Sequence, residues 1–149
     1  MKLKSSKIFF PILFLIIGCD NVPESDIITC QRNYNKWLSR NMVNYEFNFH
    51  ASCFCIEELV REVKIIISKD TIKSVLFTEN NLPPQELDNE QWHSINSLFD
   101  LSKAVFEEAE LYEFKYDNTY GNPREISIDW NIQTADDEVV FVIANVKKD

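Results

Sequence analysis

Between Asn44 and Phe54 the side chains alternate: Tyr45, Phe47 and Phe49 take one side, Glu46, Asn48 and His50 the other. Only an extended backbone sends neighbouring side chains to opposite faces, so this stretch is a half-buried strand. "VREVKIIIS" and "TIKSVLF" (Val60–Ser68, Thr71–Phe77) add two more strands, joined as a hairpin around Lys69-Asp70. Tyr112, Phe114 and Tyr116 alternate with Glu113, Lys115 and Asp117; Ile126, Ile128 and Trp130 form a further stripe, and "VVFVI" a last strand. "NTYGNP" between them is turn chemistry.

Two segments change period. Ile27, Cys30, Tyr34, Trp37 and Leu38 share one helical face, capped by Ser25 or Asp26 and ending near Asn41. Asp88 and Gln91 fit a capping box ahead of a second helix, with Trp92, Ile95, Leu98, Phe99, Phe106 and Ala109 on one face. The order is α-β-β-β-α-β-β-β. Strands in runs with short connections predict an α+β fold: an antiparallel sheet with two helices packed on one face. The order is nearly doubled, as if two αβββ halves were joined, but no sequence repeat accompanies it.

The N-terminus predicts location. Lys2, Lys4 and Lys7 precede an apolar run of ten residues, Ile8 to Ile17, too short to span a bilayer and of the right length for a secretory signal. The run closes on Ile16-Ile17-Gly18-Cys19, which resembles the lipobox of bacterial lipoproteins. That resemblance implies cleavage after Gly18 and lipidation of Cys19, with residues 1–18 as signal peptide, 19–24 as lipidated cysteine and short tether, and 25–149 as a single domain. Several acyl chains would hold such a protein firmly on the membrane of the cell envelope, where one chain alone binds marginally. Asp20 leaves the choice of inner or outer membrane open. From Cys19 onward 12 basic residues stand against 24 acidic ones, a formal charge of −12. So acidic a domain repels nucleic acid, which is excluded as a partner.

The remaining cysteines are Cys30, Cys53 and Cys55, the last two in "HASCFCIEE" (His50–Glu58). In a regular strand Cys53 and Cys55 lie about 6.5–7 Å apart at Cα, at the far edge of what a disulfide accepts, unless a tight turn replaces the strand. Cys30, on the apolar face of the first helix, is the better partner for one of them. Closing that loop of about 25 residues would add roughly 3 kcal/mol, and one thiol would be left over. A metal site from His50, Cys53 and Cys55 would need a bulge to converge its ligands, because His50 points to the opposite face. The common redox motif is C-x-x-C at a helix start, whereas here the spacing is C-x-C in a strand.

Several stretches resemble an uncharacterised family of small bacterial secreted and lipid-anchored proteins, the domain of unknown function numbered 6174. They are Trp37 on a leading helix, "NYEF", "CFC" followed by an acidic residue, "LFD" (Leu98–Asp100), "YDNTYGNPREISID" (Tyr116–Asp129) and "ADDEVVF" (Ala135–Phe141). Members often carry proline after "CFC" and glycine in the next hairpin, where this chain has Ile56 and Lys69-Asp70. The resemblance implies the fold and the location and brings no catalytic residue.

Asp117, Asp129, Asp136, Asp137 and Glu138 are a carboxylate-rich set that could offer calcium several oxygens, although EF-hand spacing is absent. No nucleophile elbow, Ser/His/Asp set or phosphate loop occurs, and the only histidines are His50 and His93. Trp92 and Tyr120, beside loops, are the aromatic residues expected at a binding surface. The sequence therefore predicts a non-catalytic, lipid-anchored envelope protein without cofactor or bound metal, which binds a protein or peptide partner and is stapled from Cys30. The alternative is a thiol-redox or soft-metal (Cu/Zn) lipoprotein acting through Cys53 and Cys55.

Overall fold

The computed structural model describes residues 25–149; the expected signal peptide, Gly18, Cys19 and the tether lie outside the described residues. Helix α1 spans Asp26–Ser39, and the Ser25 side chain caps it by accepting from the Ile28 N–H. There follow β1 (Tyr45–Cys53), a short helix α2 (Glu57–Val60), β2 (Val63–Ser68), β3 (Thr71–Phe77), α3 (Ile95–Glu108), β4 (Leu111–Tyr116), β5 (Pro123–Asp129) and β6 (Val139–Lys148). The strands form one antiparallel sheet in the order β3-β2-β1-β6-β5-β4. The nearly doubled order thus appears as two three-stranded meanders joined edge to edge by β1 and β6. Among the described residues three α-helices stand where two were expected, because α2 interrupts the first run of strands.

Alternation decides which face is dry. Tyr45, Phe47, Phe49, Val63, Ile65, Ile67, Ile126 and Ile128 are buried, and Trp37, Ile95, Leu98 and Val105 from the helices meet them. The even-numbered neighbours Glu46, Asn48, His50, Lys64, Ile66, Leu76, Val140 and Val142 stay partly exposed. One face wet and one dry is the usual condition of an antiparallel sheet. Tyr45 ties the layers together: its ring meets Trp37 edge-on at 5.1 Å, and its hydroxyl accepts from the Ile95 N–H at the start of α3. The Trp37 indole N–H donates to Asn96 in the same turn of α3.

Three details differ from the sequence reading. Ile27 and Leu38, expected on the inner face of α1, are 62% and 52% exposed, because the buried stripe is the narrower one of Cys30, Tyr34 and Trp37. The Asp88–Gln91 capping box forms, but it closes a single 3-10 turn at Asn89–Gln91. The chain then extends, and Ser94 caps α3 afresh by accepting from the Ser97 N–H. Trp92 therefore lies ahead of the helix, buried against Phe49 rather than at a binding surface.

Two turns have opposite needs. The β2–β3 hairpin holds Lys69 at φ 52° and Asp70 at φ 61°, left-handed conformations that glycine adopts more cheaply. Gly121 (φ 84°) sits so close under α1 that an added Cβ would lie 2.5 Å from the Asn33 carbonyl oxygen. Lys69→Gly is expected to stabilise the domain by about 0.5–1 kcal/mol. Gly121→Ala is expected to cost about 2–4 kcal/mol, from the left-handed backbone and the displaced helix together. Urea titration of both variants checks the two signs.

Candidate functional site

The "CFC" segment is a knuckle at the end of β1. Regular pairing stops at Cys53, Phe54 and Cys55 bend, and Cys53 and Cys55 are bonded to each other with their Cα atoms 5.3 Å apart. The sequence expectation of a Cys30 staple is overturned. Two structural facts explain it. The strand gives way to a turn at Cys53, which removes the 6.5–7 Å separation that forbade the short bridge. The strand order also sends Cys30 elsewhere: its sulfur packs 3.2 Å from the Ser102 hydroxyl of α3 and beside Tyr116 of β4. β4 lies three strand spacings, about 14 Å, from β1. Cys30 is a buried free thiol.

The knuckle is exposed and braced from behind. Phe54 is 83% exposed, with Ile56 and Val60 also presented to solvent. Behind it Glu58 is buried and clasps the loop that follows β3. One carboxylate oxygen accepts from the Gln85 N–H at 2.6 Å; the other accepts from the Glu86 and Leu87 N–H groups at 3.0 Å each. Burial pulls this carboxyl's pKa up, but the three N–H donors and nearby Arg61 outweigh it and leave the pKa below its ordinary value. Arg61 stacks 3.6 Å over the Phe77 ring and pairs with Glu79. The sequence reading missed this clasp; its only signal was the acidic residue shortly after "CFC".

The other sequence candidates disperse. His50 lies on the partly exposed face, opposite Val142 of β6. His93 packs against Phe49 and Phe141 on the dry side, and burial lowers its pKa. With Cys53 and Cys55 bonded to each other, the His50/Cys53/Cys55 set is not assembled. The acids divide between two ends of the sheet. Asp117 accepts from the Thr119 and Tyr120 N–H groups in the β4–β5 turn, while Asp136, Asp137 and Glu138 lie in the β5–β6 connection at the other end. Among the described residues, no three of His, Cys, Asp and Glu group closely enough to hold a metal ion.

A second feature lies on the partly exposed face. β1 and β6 change register between Glu46/Lys147 and Asn48/Ala144, so Asn145 and Val146 together oppose Phe47. Asn145 takes φ 53° in this bulge. Three shallow clefts meet there, of about 430, 340 and 240 Å³, and Asn145 lines each of them. Lys64, Lys147, Arg124, Glu46 and Glu125 stand on the walls and Val142 and Ala144 on the floor. Tyr120, singled out from sequence, lines the smallest. The bulge had a signal that went unread: the apolar spacing Val139, Phe141, Ile143 skips to Val146.

A one-sided antiparallel α+β domain, with a disulfide-closed knuckle at the end of its central strand, is the class these features define. The chain belongs to the family of unknown function DUF6174, whose model matches residues 29–148. No curated protein and no solved structure matches it.

Two predictions follow from the knuckle. A three-residue loop closed by a disulfide contributes about 1.6 kcal/mol on the chain-entropy model, about half of what a bridge from Cys30 would give. Reduction, or paired Cys53→Ser and Cys55→Ser, should therefore lower Tm by about 5–10 °C and leave the domain folded. Glu58 has a depressed pKa, so its contribution is fully present above the ordinary value of 4.5 and is lost as pH falls through the folded value. Glu58→Gln should melt below the parent at pH 7, and the gap should close as pH drops below 4.5; a pH-independent gap would contradict the clasp.

Proposed function

We propose that this is a non-catalytic, lipid-anchored cell-envelope protein that binds a protein or peptide across the partly exposed face of its sheet. The observation that carries the binding surface is the convergence of three clefts on Asn145, over an apolar floor of Val142 and Ala144. That face sets Lys64, Lys115, Arg124 and Lys147 among Glu46, Glu113 and Glu125, with Lys64 paired to Glu46 and Lys115 to Glu113 and Glu125. Mixed charge around an apolar floor suits an extended chain that presents both apolar and acidic side chains. The anchor rests on the lipobox-like end of the apolar run and on Cys19.

Two measurements test this reading. Cys19→Ser should move the protein from the membrane fraction to the soluble one. A photo-crosslinking amino acid at Val142 should give a discrete adduct in intact cells, and one at Lys103 on α3 should not. Adducts from neither position would remove the binding role.

A second reading, thiol-disulfide exchange, is favoured by the pairing of Cys53 with Cys55 on an exposed knuckle. An exposed disulfide is open to attack by a thiolate. It requires that the pair cycle in the cell. Thiol trapping that finds the two cysteines fully oxidised under all growth conditions would exclude it.

A further inference from the structure

The exposed large apolar side chains are not scattered. β1, β3 and β5 end, and β2, β4 and β6 begin, on one rim of the sheet; Cys53, Val139, Ile128 and Tyr112 stand in one row across it. Phe54, Ile56 and Val60 of the knuckle region project there. So do Leu82 after β3, Leu111 at the start of β4 and Ile132 in the β5–β6 connection, all at least 40% exposed. The Ile132 N–H donates to Glu110, which sets that connection against the start of β4. These segments are far apart in sequence and share nothing but this edge. None of the side chains completes the core.

The chain enters the domain at the same edge. Asp26, the first residue of α1, lies near Tyr112, which stands in the row of Cys53. The next two residues, Ile27 and Ile28, are 62% and 56% exposed. At the other end of α1, Lys36 and Arg40 donate to the Asn118 and Thr119 carbonyls, so the helix runs away from the rim. Of the exposed large apolar residues among the described ones, only Leu38 lies at that far end.

We infer that this apolar rim seats on the lipid bilayer. The inference rests on the lipid anchor at Cys19 proposed above. Five residues separate Cys19 from Ser25, and that length of chain spans at most about 20 Å. A rim so tethered meets the membrane at high effective concentration, so weak apolar contacts suffice to orient the domain. The acids at this edge, Glu57, Glu79, Glu110, Asp136 and Glu138 among them, disfavour anionic lipid and direct the rim to a zwitterionic surface. The carboxylates stay in the headgroup water while Phe54 and its neighbours enter. The partly exposed sheet face then stands away from the bilayer, free for a partner.

The test uses the full lipidated protein in phosphatidylcholine–phosphatidylethanolamine vesicles. Cys53 and Cys55 are bonded and Cys30 is buried, so a thiol introduced by Ile132→Cys or Leu82→Cys takes a polarity-sensitive dye selectively. Thr119→Cys, at the far end, is the reference. The dye at 132 and at 82 should emit at shorter wavelength and lose most of its intensity to lipids with nitroxide-labelled acyl chains; the dye at 119 should do neither. Unquenched dye at all three positions in protein that co-floats with vesicles overturns the seating and leaves the anchor standing. A wavelength shift without lipid quenching means that a second copy or another protein covers the rim, which also overturns it. Failure to co-float removes the anchor and the seating together.

Discussion

The fold hangs on the junction of Trp37, Tyr45 and the start of α3. Tyr45 is fully buried at the first position of the central strand, and its hydroxyl supplies an acceptor for one of the N–H groups that a helix start leaves unpaired. Burial pushes its phenol far above the ordinary range, so it stays neutral at every physiological pH. Trp37 presses its edge against that ring and sends its own N–H to Asn96. Two helices from opposite halves of the sequence are thereby fastened to one strand by contacts that use the Tyr45 hydroxyl oxygen and the Trp37 indole N–H. A buried polar network of this kind fixes register as well as contributing energy, because a shift of α3 by one residue would strand the Tyr45 hydroxyl and the indole N–H together.

Much of this was legible in the sequence, for a physical reason that also sets the limit. A period of two or 3.6 is imposed locally by the backbone, so the six strands, the two long helices and the dry face could be read from spacing alone. Turn chemistry at Lys69-Asp70 and "NTYGNP" was readable for the same cause. What failed depended on where the chain goes next. The Asp88–Gln91 box is a genuine capping signal, but helix formation there lost to the burial of Trp92, and Ser94 began the helix again. Cys30 and the "CFC" segment share the core-facing side in sequence, yet a shared face says nothing about lateral distance. Strand order decided the matter, and strand order comes from long-range pairing that no local period records. Glu58 was invisible for the same reason, since its three partners lie 27 to 29 residues away.

The knuckle and the bulge at Asn145 illustrate how an otherwise regular sheet acquires distinct surfaces. Each is a place where alternation breaks: at Cys53 because a two-residue bend is locked by sulfur, at Asn145 because one strand carries an extra residue. The first throws apolar side chains outward at the end of the strands, and the second opens clefts across the partly exposed face. They lie along the same central pair of strands, β1 and β6, so displacement of that pair would move both.

The pairing of β1 with β6 has a consequence for how the protein is made. The central strand of the sheet is completed only by the final one, about ninety residues later in the chain. Contacts so distant in sequence slow folding, since a large loop must close before they are rewarded. During synthesis, β1 to β3 can form a meander whose inner edge, lined by Phe47 and Phe49, waits unpaired for β6. An open strand edge with apolar neighbours is a template for other chains. That edge stays open until Val139–Lys148 is free to dock beside it.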